Sequence, residues 1–211
     1  MSLIEVKNVQ KSYKGLTIFK DIDLTIEKGK IYGIVGANGS GKSVLFKLIC
    51  GFVRPDHGEI LINGEYLHKE ITFPKNFGII IDKPGYLGNK TGFENLKSLA
   101  MIQNKINDEQ IIETMNLVGL ESTVERKVQK YSLGMKQKLA LAQAIMEDQE
   151  VLILDEPFNA LDFESVEKIR TLLLEYKQKG KTIIMTSHNQ EDINLLCDEV
   201  FRINNFKLEK L

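Results

Sequence analysis

Cysteine is scarce in this 211-residue chain: Cys50 and Cys197 are the only two, and neither has a Cys or His partner at metal-site spacing. A disulfide-stapled secreted scaffold is not expected either, because residues 1–10 read as an alternating strand where such a scaffold would carry an apolar signal segment. We expect two buried thiols in a reducing compartment. Proline is equally sparse, with four in all, and no internal repeat or low-complexity tract suggests a long disordered linker. Excess charge is missing too. A formal net charge of -1 leaves no broad basic surface, so no nucleic-acid partner is expected. No stretch approaches the roughly 20 uninterrupted apolar residues that cross a bilayer, so any membrane role needs a partner. What is present, 43% hydrophobic and 27% charged residues, suffices for one substantial core and a single domain over residues 1–211.

Residues 3–9 and 18–26 alternate apolar and polar side chains, as half-buried antiparallel strands do. Residues 30–35 run into a Gly-rich turn, after which 42–50 lose glycine and gain helical spacing at Leu45, Leu48 and Ile49. Residues 58–63 and 77–81 read as further strands. The short apolar runs 151–154 and 182–185 suit the buried centre of a parallel sheet, with a crossover helix over 163–176. Between 85 and 146 the pattern is almost wholly helical, with helices expected over 93–103, 108–118 and 134–146. The fold class is therefore α/β, with a parallel-sheet core, an N-terminal antiparallel β subdomain and an inserted α-helical lobe.

Gly36-Ala37-Asn38-Gly39-Ser40-Gly41-Lys42-Ser43 satisfies GxxxxGK[ST] and falls where a strand meets a helix. Glycines let the backbone wrap phosphate oxygens, so that consecutive N–H groups and the helix's positive end face the anion. The expected nucleotide-binding set is Gly36, Asn38, Gly39, Ser40, Gly41, Lys42, Ser43 and Val44. In it Lys42 neutralises the β- and γ-phosphates, and Ser43 completes the coordination of Mg²⁺. A Gly-rich turn that binds nothing is the plain alternative, and the flanking strand and helix count against it. Residues 151–154 end in Asp155-Glu156-Pro157, where an open α/β sheet places its ligand crevice. Asp155 would hold Mg²⁺ through water, and Glu156 would accept a proton from an attacking water. Taken alone, that pair reads more simply as solvated acids.

Together with Tyr131-Ser132-Leu133-Gly134-Met135 a short way upstream, these motifs resemble the ATP-binding cassette family along essentially the whole chain. The order is family-like: Tyr13, the phosphate loop, a loop at Asp82, the signature segment, Asp155-Glu156, Asn159-Ala160-Leu161-Asp162 and His188. The resemblance implies a P-loop NTPase core that binds and hydrolyses ATP with Mg²⁺. It implies that Tyr13 stacks on adenine and that His188 joins Glu156 in catalysis by reaching the γ-phosphate. It adds Asp82 to Ser43 and Asp155 as a metal ligand. Ser132, Gly134 and Met135 of one subunit would cover the γ-phosphate held by another, with Asp162 coupling the two sites. A capping turn is the competing reading of Ser132. The partners implied are a second ATPase copy or a paralogue, and an integral membrane permease subunit, at the cytoplasmic side of the cell membrane. His57 and His68 read as surface residues.

The segment departs from the usual LSGGQ at Leu133 and Met135, and Asp82 stands where a glutamine is expected, so it cannot donate as an amide can. Both changes bear on the rate of hydrolysis. The run 131–139 resembles ATPases of the bacitracin-resistance and lantibiotic-immunity type of exporter. After Asp82, the loop Lys83-Pro84-Gly85-Tyr86-Leu87-Gly88 would transmit closure to a permease helix. Tyr86, Leu87 and Phe93 are the candidate contacts; the alternative is that they pack inside the lobe, which suits Phe93 best. The function expected is the motor of an exporter. A soluble mechanical ATPase is the alternative, although no tandem cassette or coiled-coil insertion is present. A nucleotide-binding module without turnover is a third reading, against which Glu156 argues.

Overall fold

The computed structural model describes residues 2–66, 74–82, 85–121 and 125–211, so His68, Lys83 and Pro84 lie outside the described residues. Strands β1 (Ser2–Tyr13) and β2 (Leu16–Glu27) form a hairpin that closes at the pair Tyr13↔Leu16. Its two turn residues, Lys14 and Gly15, have φ of 48° and 83°, the positive values a two-residue hairpin turn demands. Register shifts within β1 interrupt the alternation and explain why the pattern read shorter than the strands run. β4 (His57–Ile62) and β5 (Glu65–Tyr66) extend this sheet in the order β2-β1-β4-β5.

The second sheet contains β3 (Ile31–Val35), β6 (Phe77–Ile80), β7 (Val151–Leu154), β8 (Thr182–Met185), β9 (Glu199–Asn204) and β10 (Lys207–Lys210), in the order β10-β9-β3-β8-β7-β6. All neighbours are parallel except β10, which folds back on β9. Successive side chains of a strand point to opposite faces. Thus Val151 and Ile153 join a core with Phe19 and Leu45, whereas Leu152 and Leu154 join one with Leu139 and Leu173. Burial on both faces is why β7 reads as a continuous apolar run, and each buried side chain contributes about 1.5–3 kcal/mol.

Helix α1 (Lys42–Ile49) follows β3. The lobe comprises α2 (Gly92–Gln103), α3 (Asp108–Leu117), a 3₁₀ turn at Val128–Lys130 and α4 (Leu133–Ile145). Capping boxes set the starts of α2, at Thr91 with Glu94, and α3, at Asn107 with Gln110. The lobe is pressed onto the sheet: a Cβ at Gly78 would stand 1.8 Å from Ala144 O, so only glycine lets β6 meet α4 there. Helices α5 (Phe163–Gln178) and α6 (Gln190–Leu196) link β7 to β8 and β8 to β9.

Of the two readings of Tyr86, exposed contact or packing inside the lobe, the structure gives the second. Tyr86 packs against the lobe core and its hydroxyl donates to Lys136 O at 3.0 Å. Phe93 packs against the same core, whereas Leu87 is exposed. Cys50 is buried and Cys197 half-buried, both as free thiols. Burial pushes each up to about 12, helped at Cys197 by Asp198 and Asp192, so both stay protonated.

Candidate functional site

The C-terminal ends of β3, β8, β7 and β6 lie side by side in that order, which is where an open α/β sheet gathers its ligand groups. After β3 the loop rises to an exposed crest at Ala37, Asn38 and Gly39 and returns into α1. Glycine is required at its base. Gly41 has φ of 109°, and a Cβ there would meet Ile18 Cγ2 at 2.8 Å and Phe19 Cζ at 2.9 Å. Of the six α-helices among the described residues, α1 alone lacks a side-chain cap. Its first intrahelical bond is Leu45 N–H to Gly41 O, 2.9 Å, so the amides before it have no helical acceptor and no acidic residue shares the first turn. Val44 turns its side chain to the core and has only its amide to offer. Lys42 Nζ donates to Gly36 O at 2.8 Å and Ala37 O at 3.2 Å, which folds the ammonium over the loop. Ser40 Oγ is buried without a hydrogen-bond partner.

Across β8 from this loop stand the acids. Ser43 Oγ donates to Asp155 Oδ2 at 2.5 Å, and Thr186 Oγ1 donates to Asp155 Oδ1 at 2.8 Å. Thr186 Oγ1 also accepts from the Glu156 amide at 2.8 Å. Glu156 has φ of 53°, a left-handed conformation costing of order 1–3 kcal/mol outside glycine. Its flanks hold it there: besides Thr186 at its amide, Gln137 Nε2 donates to Glu156 O at 3.1 Å and Pro157 O at 3.0 Å. The Glu156 carboxylate takes the His188 amide on Oε2 at 3.2 Å. His188 Nε2 lies 3.3 Å from Oε1 without making a hydrogen bond to it, and Oε1 is buried and unpartnered.

The donor set fits a nucleotide and a hard divalent ion. A glycine-lined loop with an uncapped helix start accepts phosphate. Ser43 and Asp155 present oxygen ligands together. Among the described residues no group of three His, Cys, Asp or Glu side chains could hold a metal on its own.

The signature residues form a second cluster. Ser132 is the N-cap of α4 and accepts the Met135 amide at 3.1 Å. A Cβ at Gly134 would lie 2.7 Å from Ala160 O, so the glycine lets α4 touch the loop that follows Glu156. Asp162 caps α5 by accepting the Ser165 amide at 2.8 Å, and that hydrogen bond, with the Ser165 hydroxyl, holds its carboxyl below the ordinary range. Ser132, Gly134, Met135, Ala160 and Asp162 line an open hollow of about 450 Å³.

A family model described as ABC transporter matches residues 19–159. The chain belongs to the ABC transporter family. It is 46% identical over 207 residues to the ABC transporter ATP-binding protein YybJ of Bacillus subtilis (strain 168), covering 98% of this chain and 95% of that one. It is 36% identical to the bacitracin transport ATP-binding protein BcrA of Enterococcus faecalis, over 94% of this chain and 65% of that one. It is 32% identical to the lantibiotic transport ATP-binding protein SrtF of Streptococcus pyogenes, over 93% of this chain and 84% of that one. Among solved structures, an ATP-binding subunit of an ABC transporter superposes with a TM-score of 0.89 at 27% identity, over 99% of this chain and 90% of that one. A dimeric ATP-binding cassette bound to ADP and Pi superposes at 0.88 and 22% identity, over 99% of both chains, which speaks to the fold.

This ABC transporter ATP-binding subunit, an ATPase, thus brings Ser43, Asp155, Glu156 and His188 into one cluster through Thr186, with Lys42 folded over the adjoining loop. It keeps others apart. Asp82, at φ of 56°, pairs with Lys47 Nζ at 2.6 Å and makes no described contact with Ser43 or Asp155. Tyr13 lies at the hairpin end, 42% exposed, with Lys11 Nζ 5.1 Å from its ring centroid. The sequence reading missed Thr186 and Gln137, which fix the two acids. Thr186 follows β8 directly, and only the pairing of β7 with β8 brings it to Asp155; a polar residue just after an apolar strand was the sole signal. Gln137 lies on the first turns of α4, and its spacing from Ser132 carried no mark of its target.

Proposed function

We propose that this chain is the ATP-driven motor of a peptide-antibiotic exporter, acting as two copies, or with a paralogue, beneath a separate integral membrane permease. The carrying observation is the Glu156 carboxylate, with Oε2 held by the His188 amide and Oε1 buried without a hydrogen bond, on the residue next to the Asp155 that Ser43 holds. A buried carboxylate oxygen without a donor is costly. An attacking water that hydrogen-bonds to it and yields its proton removes the cost and supplies the chemistry. His188 flanks the same oxygen at 3.3 Å and is assigned the γ-phosphate. Ser43 and Asp155 would hold Mg²⁺, which supplies charge neutralisation on the β- and γ-phosphates. Lys42 and the leading amides of α1, through Val44, take the remaining phosphate charge, and Tyr13 presents its free ring face to adenine.

In the two-copy arrangement Ser132, Gly134 and Met135 of one copy cover the γ-phosphate bound by the other, and Asp162 links the two sites. The hollow of about 450 Å³ beside them supports this reading. Among the described residues no helix is long and apolar enough to cross a membrane; in this reading the permease is a separate chain or segment, and the motor sits peripherally at the cytoplasmic face. Two relatives are named for bacitracin and lantibiotic transport, and that supports peptide antibiotics as the substrate class. The test is co-expression with any polytopic protein that a neighbouring reading frame encodes, purification from membranes, and ATP turnover with and without bacitracin or a lantibiotic. Stimulated turnover of the co-purified complex is expected. A chain that hydrolyses ATP but never co-purifies with a membrane protein would defeat the transport reading.

A further inference from the structure

The loop that carries His188 is fastened to a buried ion pair that no step above uses. Arg170 on α5 and Asp192 on α6 are 7% and 2% exposed. Arg170 Nε donates to Asp192 Oδ1 at 2.9 Å, and Nη2 reaches the same oxygen. Asp192 Oδ2 accepts from Ser187 Oγ at 2.6 Å, and Ser187 Oγ accepts from the Asn189 amide at 3.1 Å. Glu167 and Glu191 take the remaining guanidinium edges at 2.6 and 3.1 Å from half-exposed or more open positions.

Two buried charges are a poor way to stabilise a fold, since apolar residues of like volume often do as well or better. The pair's use lies in what it grips. Three consecutive residues leaving β8 are tied in alternation: Thr186 to Asp155 and the Glu156 amide, Ser187 to Asp192, and the His188 amide to the Glu156 carboxylate. The middle tie alone runs to α6 and not to Asp155 or Glu156.

We propose that the Arg170–Asp192 pair is a positioning anchor: acting through Ser187, it sets the place of His188 against Glu156 for ATP hydrolysis. The proposal rests on the reading of Glu156 and His188 as the hydrolytic pair. Asp192 suits the role because its two oxygens accept from opposite sides, whereas an asparagine there has a single acceptor oxygen and cannot accept from both Arg170 and Ser187 in this arrangement.

Asp192→Asn and Ser187→Ala are each expected to lower kcat roughly 100-fold while leaving ATP affinity and KM within about twofold. Amide exchange over residues 187–190 should quicken by about tenfold or more. The double variant Arg170→Met/Asp192→Leu separates anchor from scaffold: its Tm should stay near that of the parent, and its turnover should stay low. Glu167→Gln, which trims only an open edge of the guanidinium, should keep turnover within about twofold. If Asp192→Asn does not fold, Ser187→Ala carries the test, since it removes one hydroxyl. Parental turnover in the apolar double variant, or unchanged exchange in Ser187→Ala, would overturn the anchor. Should the parent chain itself fail to turn over ATP, the hydrolytic reading falls, and the exchange measurement alone decides whether the pair positions the loop.

Discussion

The phosphate-loop cluster and the signature cluster are built on different terms. At the phosphate-loop end, α1, β7 and β8 each contribute a side chain, and hydrogen bonds link Ser43, Asp155, Thr186, Glu156 and His188 into one network. At the signature end, Ser132 and Asp162 serve local helix caps, while Leu133 and Phe163 stand 73% and 81% exposed. The first end is tied together by hydrogen bonds within one chain. The second has polar groups that meet only their own helices, and large apolar side chains that meet water, which is the physical case for completion by another copy.

The sharpest way to break this comparison is at Glu156. Glu156→Gln keeps size and polarity but removes the proton acceptor, so ATP binding should persist while turnover falls by a factor of about 10²–10⁴. ATP should then hold the two copies together, which size-exclusion chromatography with MgATP reads directly. A variant that stays monomeric and hydrolyses ATP at the parental rate would remove Glu156 from the chemistry. The next largest effect is expected at Lys42. Its charge-assisted contacts are each worth roughly 1.5–3 kcal/mol, so Lys42→Ala should weaken ATP binding by about 10- to 150-fold in calorimetry. Unchanged affinity would show that the ammonium, which folds onto Gly36 O and Ala37 O, serves only the loop.

The phosphate-loop end was also the more legible in sequence. Glycine spacing, the strand-to-helix switch and the acids closing β7 are local signals, and the structure brings their residues together. What stayed hidden depends on which strands neighbour each other. Thr186 matters because β8 pairs with β7, and no spacing along the chain shows that. Arg170 and Asp192 carry no local signal, because only the packing of α5 and α6 buries them against one another. The β9–β10 hairpin was missed because its turn residues, Asn205 and Phe206, take φ of 47° and 64°, and a phenylalanine there gives no turn signal. At Asp82 the sequence suggested a metal ligand, and the folded chain supplies Lys47 as a competing partner.

Ser132 sharpens the comparison from the other end. As a cap alone, its loss in Ser132→Ala costs about 0.5–2 kcal/mol, a Tm drop of roughly 2–4 °C per kcal/mol for a chain of this size. As a phosphate contact in the partner copy, its loss also weakens ATP-driven dimerisation in the Glu156→Gln background. Ser132→Asp divides the two roles, because aspartate caps as well as serine but sets a carboxylate against a phosphate. We expect stability to return and dimerisation not to. If sedimentation shows both restored, Ser132 is a cap and nothing more.

The smallest effect concerns Asp82, whose side chain is 55% exposed and pairs with a Lys47 side chain 32% exposed. An ion pair so open to water contributes about 0.2–1 kcal/mol, so Asp82→Asn should shift the urea midpoint only slightly. The Mg²⁺ requirement is more telling. If Asp82 belongs with Ser43 and Asp155, Lys47 competes for its carboxylate, and Lys47→Met should lower the Mg²⁺ needed for half-maximal turnover by a factor of roughly 1.4–5, the same pairing energy expressed as an equilibrium. Adding Asp82→Asn to Lys47→Met should then reverse the gain. A Mg²⁺ titration that is the same in all three proteins would leave Asp82 as a surface partner of Lys47. The metal set would then be Ser43 and Asp155, already joined by a hydrogen bond at the phosphate-loop end.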